Sequence, residues 1–346
     1  MKKLFAFALS FLLVFASAAS LAEGVVNVYN WEDYIDEQTI EMFQEETGIK
    51  VNYLNFTTNE DMMVQVRANP AAFDVVFPSD YCVERLIAEN RLEELNFDNM
   101  PNAKQYTLDW LKNPSYDKDA KYSVPYMWGT VGILYNKNVV KEEITSWDVL
   151  WDTKYQGQVF MLDSIRDTLG VALQSLGFSM NTRNPLEIEQ AKEKLIAQKQ
   201  SGMVKAYQVD ETKDKMVAEE GALALVWSGD AQYAIDLNPN LAYAIPQTGT
   251  NIWADAMVVP KGARNKENAE RFIDFMSRPD IAKLNAEAIT YSTPNIAAVE
   301  LLGETYKNNN TQNPPQEIID KSEFFADIQD FIEFYNAIWL EVKNAK

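Results

Sequence analysis

The sequence predicts an α/β protein whose sheet is mixed, mainly parallel and flanked by helices. Three observations carry that expectation. From residue 25 onward, short apolar β-branched runs alternate with amphipathic segments, the β-α-β-α-β-α order of parallel sheets. Hydrophobic residues make up 47% of the chain and aromatic residues 12%, enough to fill substantial cores. The chain has 346 residues, long enough for two domains even after a leader is set aside.

The elements follow in order. Residues 25–29 form the first strand, ended by Asn30. Asp36 is placed to cap a helix over 37–47, which puts Ile40 and Phe43 on one face and closes at Gly48. A second strand covers 49–54, and a helix over 61–68 uses Met62 and Met63 for packing. A third strand, 73–77, stops at Pro78-Ser79, and 83–90 is helical. Further strands are expected at 131–135, 222–226, 241–245 and 255–259, and further helices at 167–176, 185–199, 265–276 and 279–288. The polar run 308–315 (NNNTQNPP) is the one stretch whose composition favours disorder, and no internal repeat is present.

Residues 1–22 stand outside this pattern. Lys2 and Lys3 precede an apolar run over 4–15, and Ser20-Leu21-Ala22 resembles a cleavage site. These are the parts of a cleavable secretory signal peptide, too short to remain as a membrane span. Its removal takes away two lysines and no acid, so a formal charge of −20 becomes −22. No cysteine near the cleavage site offers a lipid anchor, which points to a free protein of the periplasm.

Composition excludes several functions. With 31 basic against 51 acidic residues, no basic face is available for nucleic acid. The absence of histidine removes Ser-His-Asp and Cys-His triads and the histidine-bearing zinc sites. Cys82 is the one cysteine, so no internal disulfide or CxxC motif exists, and it reads as a buried thiol.

Ligands of open α/β sheets bind beyond the carboxyl ends of the strands. Aromatic and acidic residues recur at those ends: Trp31, Asp33 and Tyr34 after the first strand, Ser79 and Tyr81 after the third, Trp227 and Asp230 after the strand at 222–226.

These residues sit in motifs that resemble the periplasmic polyamine-binding proteins, the spermidine/putrescine receptors of ABC importers. Asn30-Trp31-Glu32-Asp33-Tyr34, FQEETGIK at 43–50 and Phe77-Pro78-Ser79-Asp80-Tyr81 carry the likeness. VPYMWG at 124–129, SWDVLW at 146–151, VWSGDA at 226–231, Ile252-Trp253-Ala254-Asp255 and YSTPN at 291–295 continue it in order. The resemblance implies a two-lobed venus-flytrap fold with a ligand cleft between the lobes. Residues 23–128 plus 255–302 would form one lobe, and 129–254 plus 303–346 the other. It also implies a monomer without a cofactor, a polyamine ligand left chemically unchanged rather than turned over by an enzyme, and an inner-membrane ABC permease as partner.

A polyamine is an aliphatic chain with protonated amines. Each buried ammonium needs a carboxylate or several neutral acceptors. The methylenes need apolar walls, and aromatic faces also attract cations by ~0.5–2 kcal/mol per contact. Family position assigns the roles. Trp31 and Tyr34 line one wall with Asp33 as an acceptor, and Ser79 and Tyr81 supply hydroxyls. Asp167 meets an inner or terminal amine, Trp227 and Trp253 sandwich the methylenes, and Tyr291 closes the box. Asp255 pairs with a terminal ammonium, and Asp230 matches an acid of the putrescine-preferring branch. Glu32 stands where the family often has a small hydroxyl, and it either adds an amine partner or is solvated.

Two departures bear on specificity. Ser164 replaces an acid of the spermidine branch, with Asp163 adjacent but turned away, and Phe325 falls where that branch is polar. Ser164 together with Asp230 tilts the reading toward putrescine, with spermidine as the alternative. A sugar receptor is the alternative within the same fold, but its polar set would carry more amides and some arginine, whereas this set holds acids and no cation. A secreted glycosidase is the remoter alternative, since it needs a spaced carboxyl pair that no motif here indicates.

Overall fold

The structure is a computed structural model that describes residues 24–329 and 331–345. The expected signal peptide lies outside the described residues. The strands are β1 (Gly24–Trp31), β2 (Ile49–Phe56), β3 (Val75–Val76), β4 (Ser123–Asn136), β5 (Val159–Leu162), β6 (Val204–Gln208), β7 (Leu223–Trp227), β8 (Leu241–Ala244) and β9 (Ile252–Val258). They form one path, β2-β1-β3-β9-β4-β7-β5-β6, with β8 attached to β4.

The long strand β4 explains how one path makes two half-sheets. Its residues 123–130 pair with β9, and its residues 131–136 pair with β7 and β8. On one side β1 pairs in parallel with β2 and β3; on the other β5 pairs in parallel with β6 and β7. The pairings of β9 with β3 and β4, and of β4 with β7 and β8, are antiparallel. The sheet is therefore mixed, and its antiparallel share comes from the two strands that run through its middle.

Each half-sheet has its own core. Val26, Val28, Phe43, Phe77, Phe272 and Ile273 pack together on the first, with Phe43 edge-on to Phe272 at 5.2 Å. Val131, Ile133, Trp147, Leu169, Leu195, Leu223 and Tyr335 pack on the second. Side chains this size contribute about 1.5–3 kcal/mol each when fully buried. Among the described residues no helix is long and apolar enough to cross a membrane.

Capping sets the helix starts near the site. Thr58 accepts from the Asp61 amide, so the second helix begins at Asn59 and not at 61. The next helix runs Asp80–Ala88 with Ser79 at its N-cap position, three residues ahead of the expected start. The third strand shrinks to Val75–Val76 because Asp74 is a hub instead, accepting from the Asn27 amide (2.8 Å) and the Asn265 amide (2.9 Å). The polar run at 308–315 is ordered, contrary to its composition. Gln312 is buried and donates to the Thr290 carbonyl at 2.9 Å, and Asn309 donates to Gln232 at 2.7 Å. Hydrogen bonds do there what apolar burial does elsewhere.

Candidate functional site

Strand ends bring the site together. After β1, Asp33 takes a positive φ of 50°, a conformation an aspartate tolerates better than most residues. This tight turn leaves Glu32 and Asp33 exposed and returns Tyr34 inward. After β3, Ser79 forms an antiparallel bridge with Asp255 of β9. The result is a carboxylate held by two neutral donors: Tyr34 Oη donates to Asp255 Oδ2 at 2.8 Å and Ser79 Oγ to Oδ1 at 2.7 Å. Burial pushes the Asp255 carboxyl up to about 6, and the two hydroxyls pull it back only in part.

A second carboxylate stands in the first turn of the helix Ile165–Ser175. Asp167 is buried and accepts from Ser164 Oγ. Burial raises it to about 6, opposed by hydrogen bonding from Ser164 and Trp227 and by the charge of Arg166. The third, Asp230, lies in the first turn of the helix Ser228–Leu237, three residues after Trp227 at the end of β7. Its side chain is 14% exposed, and burial lifts it to about 6 against the opposing charge of Lys213. All three carboxylates are largely ionised at neutral pH; Asp230 has Lys213 beside it, whereas Asp167 and Asp255 have no ion-pair partner among the described residues.

Aromatic rings stand beside Asp255 and Asp230. Trp253 and Tyr291 meet edge-to-face at 5.0 Å, and Tyr291 meets Tyr34 at 5.9 Å. Trp253 Nε1 is buried without a protein partner. Two glycines make this packing possible. A Cβ on Gly129 would stand 2.5 Å from the Trp253 ring, and one on Gly229 would stand 2.4 Å from the Tyr291 ring. Trp31 packs on Phe56 at 4.5 Å and donates through Nε1 to the Phe77 carbonyl at 2.9 Å, so its ring is fixed.

The structure thus brings together Tyr34, Ser79, Asp255, Trp253, Tyr291 and Asp230 through direct contacts, and Asp167 with Trp227. Tyr81 joins by way of a residue that the sequence reading missed: Asn59 Nδ2 lies 3.0 Å from both Ser79 Oγ and Tyr81 Oη. Glu32 and Asp33 sit apart, on the exposed turn. Asp80 is also new. It is fully buried, strongly raised by burial, and accepts from the Ala254 amide at 3.2 Å, which ties the helix Asp80–Ala88 to β9.

The set is not free of cations, as the sequence reading had it. Arg166 is 5% exposed, and its guanidinium lies over the rings of Phe325 (4.3 Å), Tyr81 (5.4 Å) and Tyr335 (5.8 Å). It donates to Asn181 Oδ1 at 3.1 Å and to the Ala326 carbonyl. Lys213 is the second cation, with Nζ 3.5 Å from Asp230. Adjacency to Asp167 was the one available signal for Arg166; Lys213 is hidden in the charged run ETKDK at 211–215. Asp163 is occupied as well, since Lys343 Nζ sits 2.6 Å from it.

The family model for bacterial extracellular solute-binding proteins matches residues 38–314. A spermidine/putrescine-binding periplasmic protein of Salmonella typhimurium is 34% identical over 317 residues, covering 91% of this chain and 90% of the relative. The putrescine-binding periplasmic protein SpuD of Pseudomonas aeruginosa is 29% identical over 373 residues, covering all of both chains. Among solved structures, the spermidine/putrescine ABC transporter substrate-binding protein PotD of Streptococcus pneumoniae superposes with a TM-score of 0.83 at 34% identity, covering 93% of this chain and 99% of that one.

Proposed function

Because the chain belongs to the bacterial extracellular solute-binding proteins, we propose that it captures a polyamine, putrescine and/or spermidine, between two lobes and delivers it unchanged to an ABC importer. The lobes are taken as 23–128 plus 255–302 and 129–254 plus 303–346. The separate cores on the two half-sheets support that division. The receptor acts as a periplasmic monomer once residues 1–22 are removed.

The observation that carries this reading is the group of buried carboxylates Asp167, Asp230 and Asp255 beside aromatic faces. Asp167 and Asp255 have hydroxyl or indole partners where an ion pair would be expected. An isolated buried carboxylate is expensive, and a ligand ammonium removes that penalty. Tyr34, Trp227, Trp253 and Tyr291 offer flat surfaces to methylenes and cation–π contact to the amines. Trp31, Glu32, Asp33, Ser79 and Tyr81 complete the assignment, with Glu32 and Asp33 at the rim.

Titration calorimetry of the mature chain with putrescine, spermidine, cadaverine and a sugar panel tests the proposal. Heat with a polyamine and none with sugars is expected. A micromolar ligand corresponds to about −8 kcal/mol, well within reach of the method. No heat with any polyamine sinks the reading.

A further inference from the structure

We propose that Lys213 sets the charge of the ligand: by neutralising Asp230 it leaves the buried site with two unmatched carboxylates, the complement of a diamine. The inference rests on the polyamine reading above and deepens it. Lys213 is held in place. It lies on the short helix Glu211–Val217, its Nζ is 3.5 Å from Asp230 Oδ1, and it also lies 5.4 Å over the Tyr233 ring. Its side chain is only 29% exposed and that of Asp230 only 14%, so bulk solvent screens the pair incompletely. The charge of Asp230 in turn is felt by Tyr291, which touches both Trp253 and Tyr34. Lys213 therefore acts on the aromatic box and not on a distant surface.

The charges around the site can be counted. Asp167, Asp230 and Asp255 are negative. Burial pushes the Asp80 carboxyl well up, and the Arg166 guanidinium, whose charge is also felt by Asp167, is engaged by the Asn181 oxygen, the Ala326 carbonyl and three rings and not by a carboxylate. Glu32 and Asp33 are exposed on the turn after β1, and Asp210, exposed at the start of the Lys213 helix, adds a water-facing negative charge that Asp230 and Tyr291 still feel. With Lys213 paired to Asp230, Asp167 and Asp255 remain. A diamine brings two ammoniums and satisfies both. A triamine brings a third, which finds its acid already taken and the lysine charge in front of it. Like charges brought together in a poorly solvated cleft disfavour that ligand, which is specificity by repulsion.

The test compares wild type, Lys213→Gln and Lys213→Arg by titration calorimetry with putrescine and spermidine at one pH and salt concentration. Thermal melts confirm that each variant is folded. Wild type is expected to prefer putrescine. Lys213→Gln is expected to shift the spermidine-to-putrescine affinity ratio toward spermidine by about tenfold, the scale of one partly screened charge. Lys213→Arg keeps the charge and should keep the wild-type ratio. A folded Lys213→Gln whose ratio stays within about twofold of wild type overturns the proposal; so does a Lys213→Arg ratio that moves as far as the glutamine variant. Wild type that binds neither amine would instead overturn the polyamine reading itself.

Discussion

At the scale of single residues, burial separates the acids that matter from those that keep the chain soluble. Asp255 is 6% exposed and is held only by the hydroxyls of Tyr34 and Ser79, whereas Glu32 projects from an exposed turn two residues before Tyr34. Removing the charge of Asp255 leaves a ligand ammonium buried without its counter-ion. Asp255→Asn should therefore weaken polyamine binding by about 2–5 kcal/mol, roughly thirtyfold to several-thousandfold in Kd. Glu32→Gln removes a screened rim charge and should change binding by about 0.5 kcal/mol or less. Calorimetry on the two variants checks both. Equal affinities would show that the acid at 255 does not meet the ligand. The same contrast explains why Asp255 stands out in the sequence and Lys213 does not. An acid two positions from a tryptophan at a strand stands out, while a lysine within a run of alternating charges has the sequence signature of a solvated helix face.

At the scale of elements, the site depends on how closely backbone can approach aromatic rings. Gly229 is in the first turn of the helix Ser228–Leu237, and a methyl there would press into the Tyr291 ring. The ring has to move, and its edge-to-face contact with Trp253 moves with it. Gly229→Ala should lower stability by about 1–3 kcal/mol, as overpacking does. If Tyr291 contacts ligand, the same variant loses affinity by about tenfold or more. A variant with a lower melting temperature but unchanged affinity would place Tyr291 outside the binding contacts. Much of the element order was legible. Asp36 and Gly48 bracket their helix as expected, and Pro185 and Pro279 each open one. What sequence concealed has physical causes. β5 and β6 carry no clean two-residue alternation, since β5 is buried on both faces and β6 lies at the edge, mostly half-buried. The helix at Asp80 starts early because an aspartate and a serine there read as turn residues, while tertiary contacts with Ala254 and Asp255 make them a helix start. The order at 308–315 comes from long-range amide contacts that no local pattern encodes.

For the whole molecule, the buried acids couple ligand, proton and fold. Asp167, Asp230 and Asp255 each sit near 6 in the folded chain, against about 3.9 for an unperturbed aspartate. Their folded-state values are raised, so the stability they lend is fully present below the unfolded value. It is lost as pH rises through about 6. The ligand-free chain is therefore penalised at neutral pH by its own buried carboxylates. The chain contains no histidine, so no side chain with an ordinary pKa of about 6.5 overlaps these acids. Glu142 and Glu219 are shifted the other way, to about 2, and their contribution is lost only in stronger acid. A ligand ammonium reverses the situation, because it favours the ionised acids and holds the fold in proportion to occupancy. At a hundred times Kd this adds about 2.7 kcal/mol at neutral pH. Melts with and without saturating putrescine should then show a large ligand-dependent shift at pH 7.5 that shrinks steadily through pH 6 toward 5, as each carboxyl must first give up its proton. Affinity should fall by up to about tenfold per pH unit for each carboxyl that meets an ammonium, Asp167 and Asp255 for a diamine, while the empty chain gains relative stability over the same range. A ligand shift that stays constant from pH 7.5 to 5 would mean that the ammoniums are met by neutral acceptors, and that the three buried aspartates serve the fold alone.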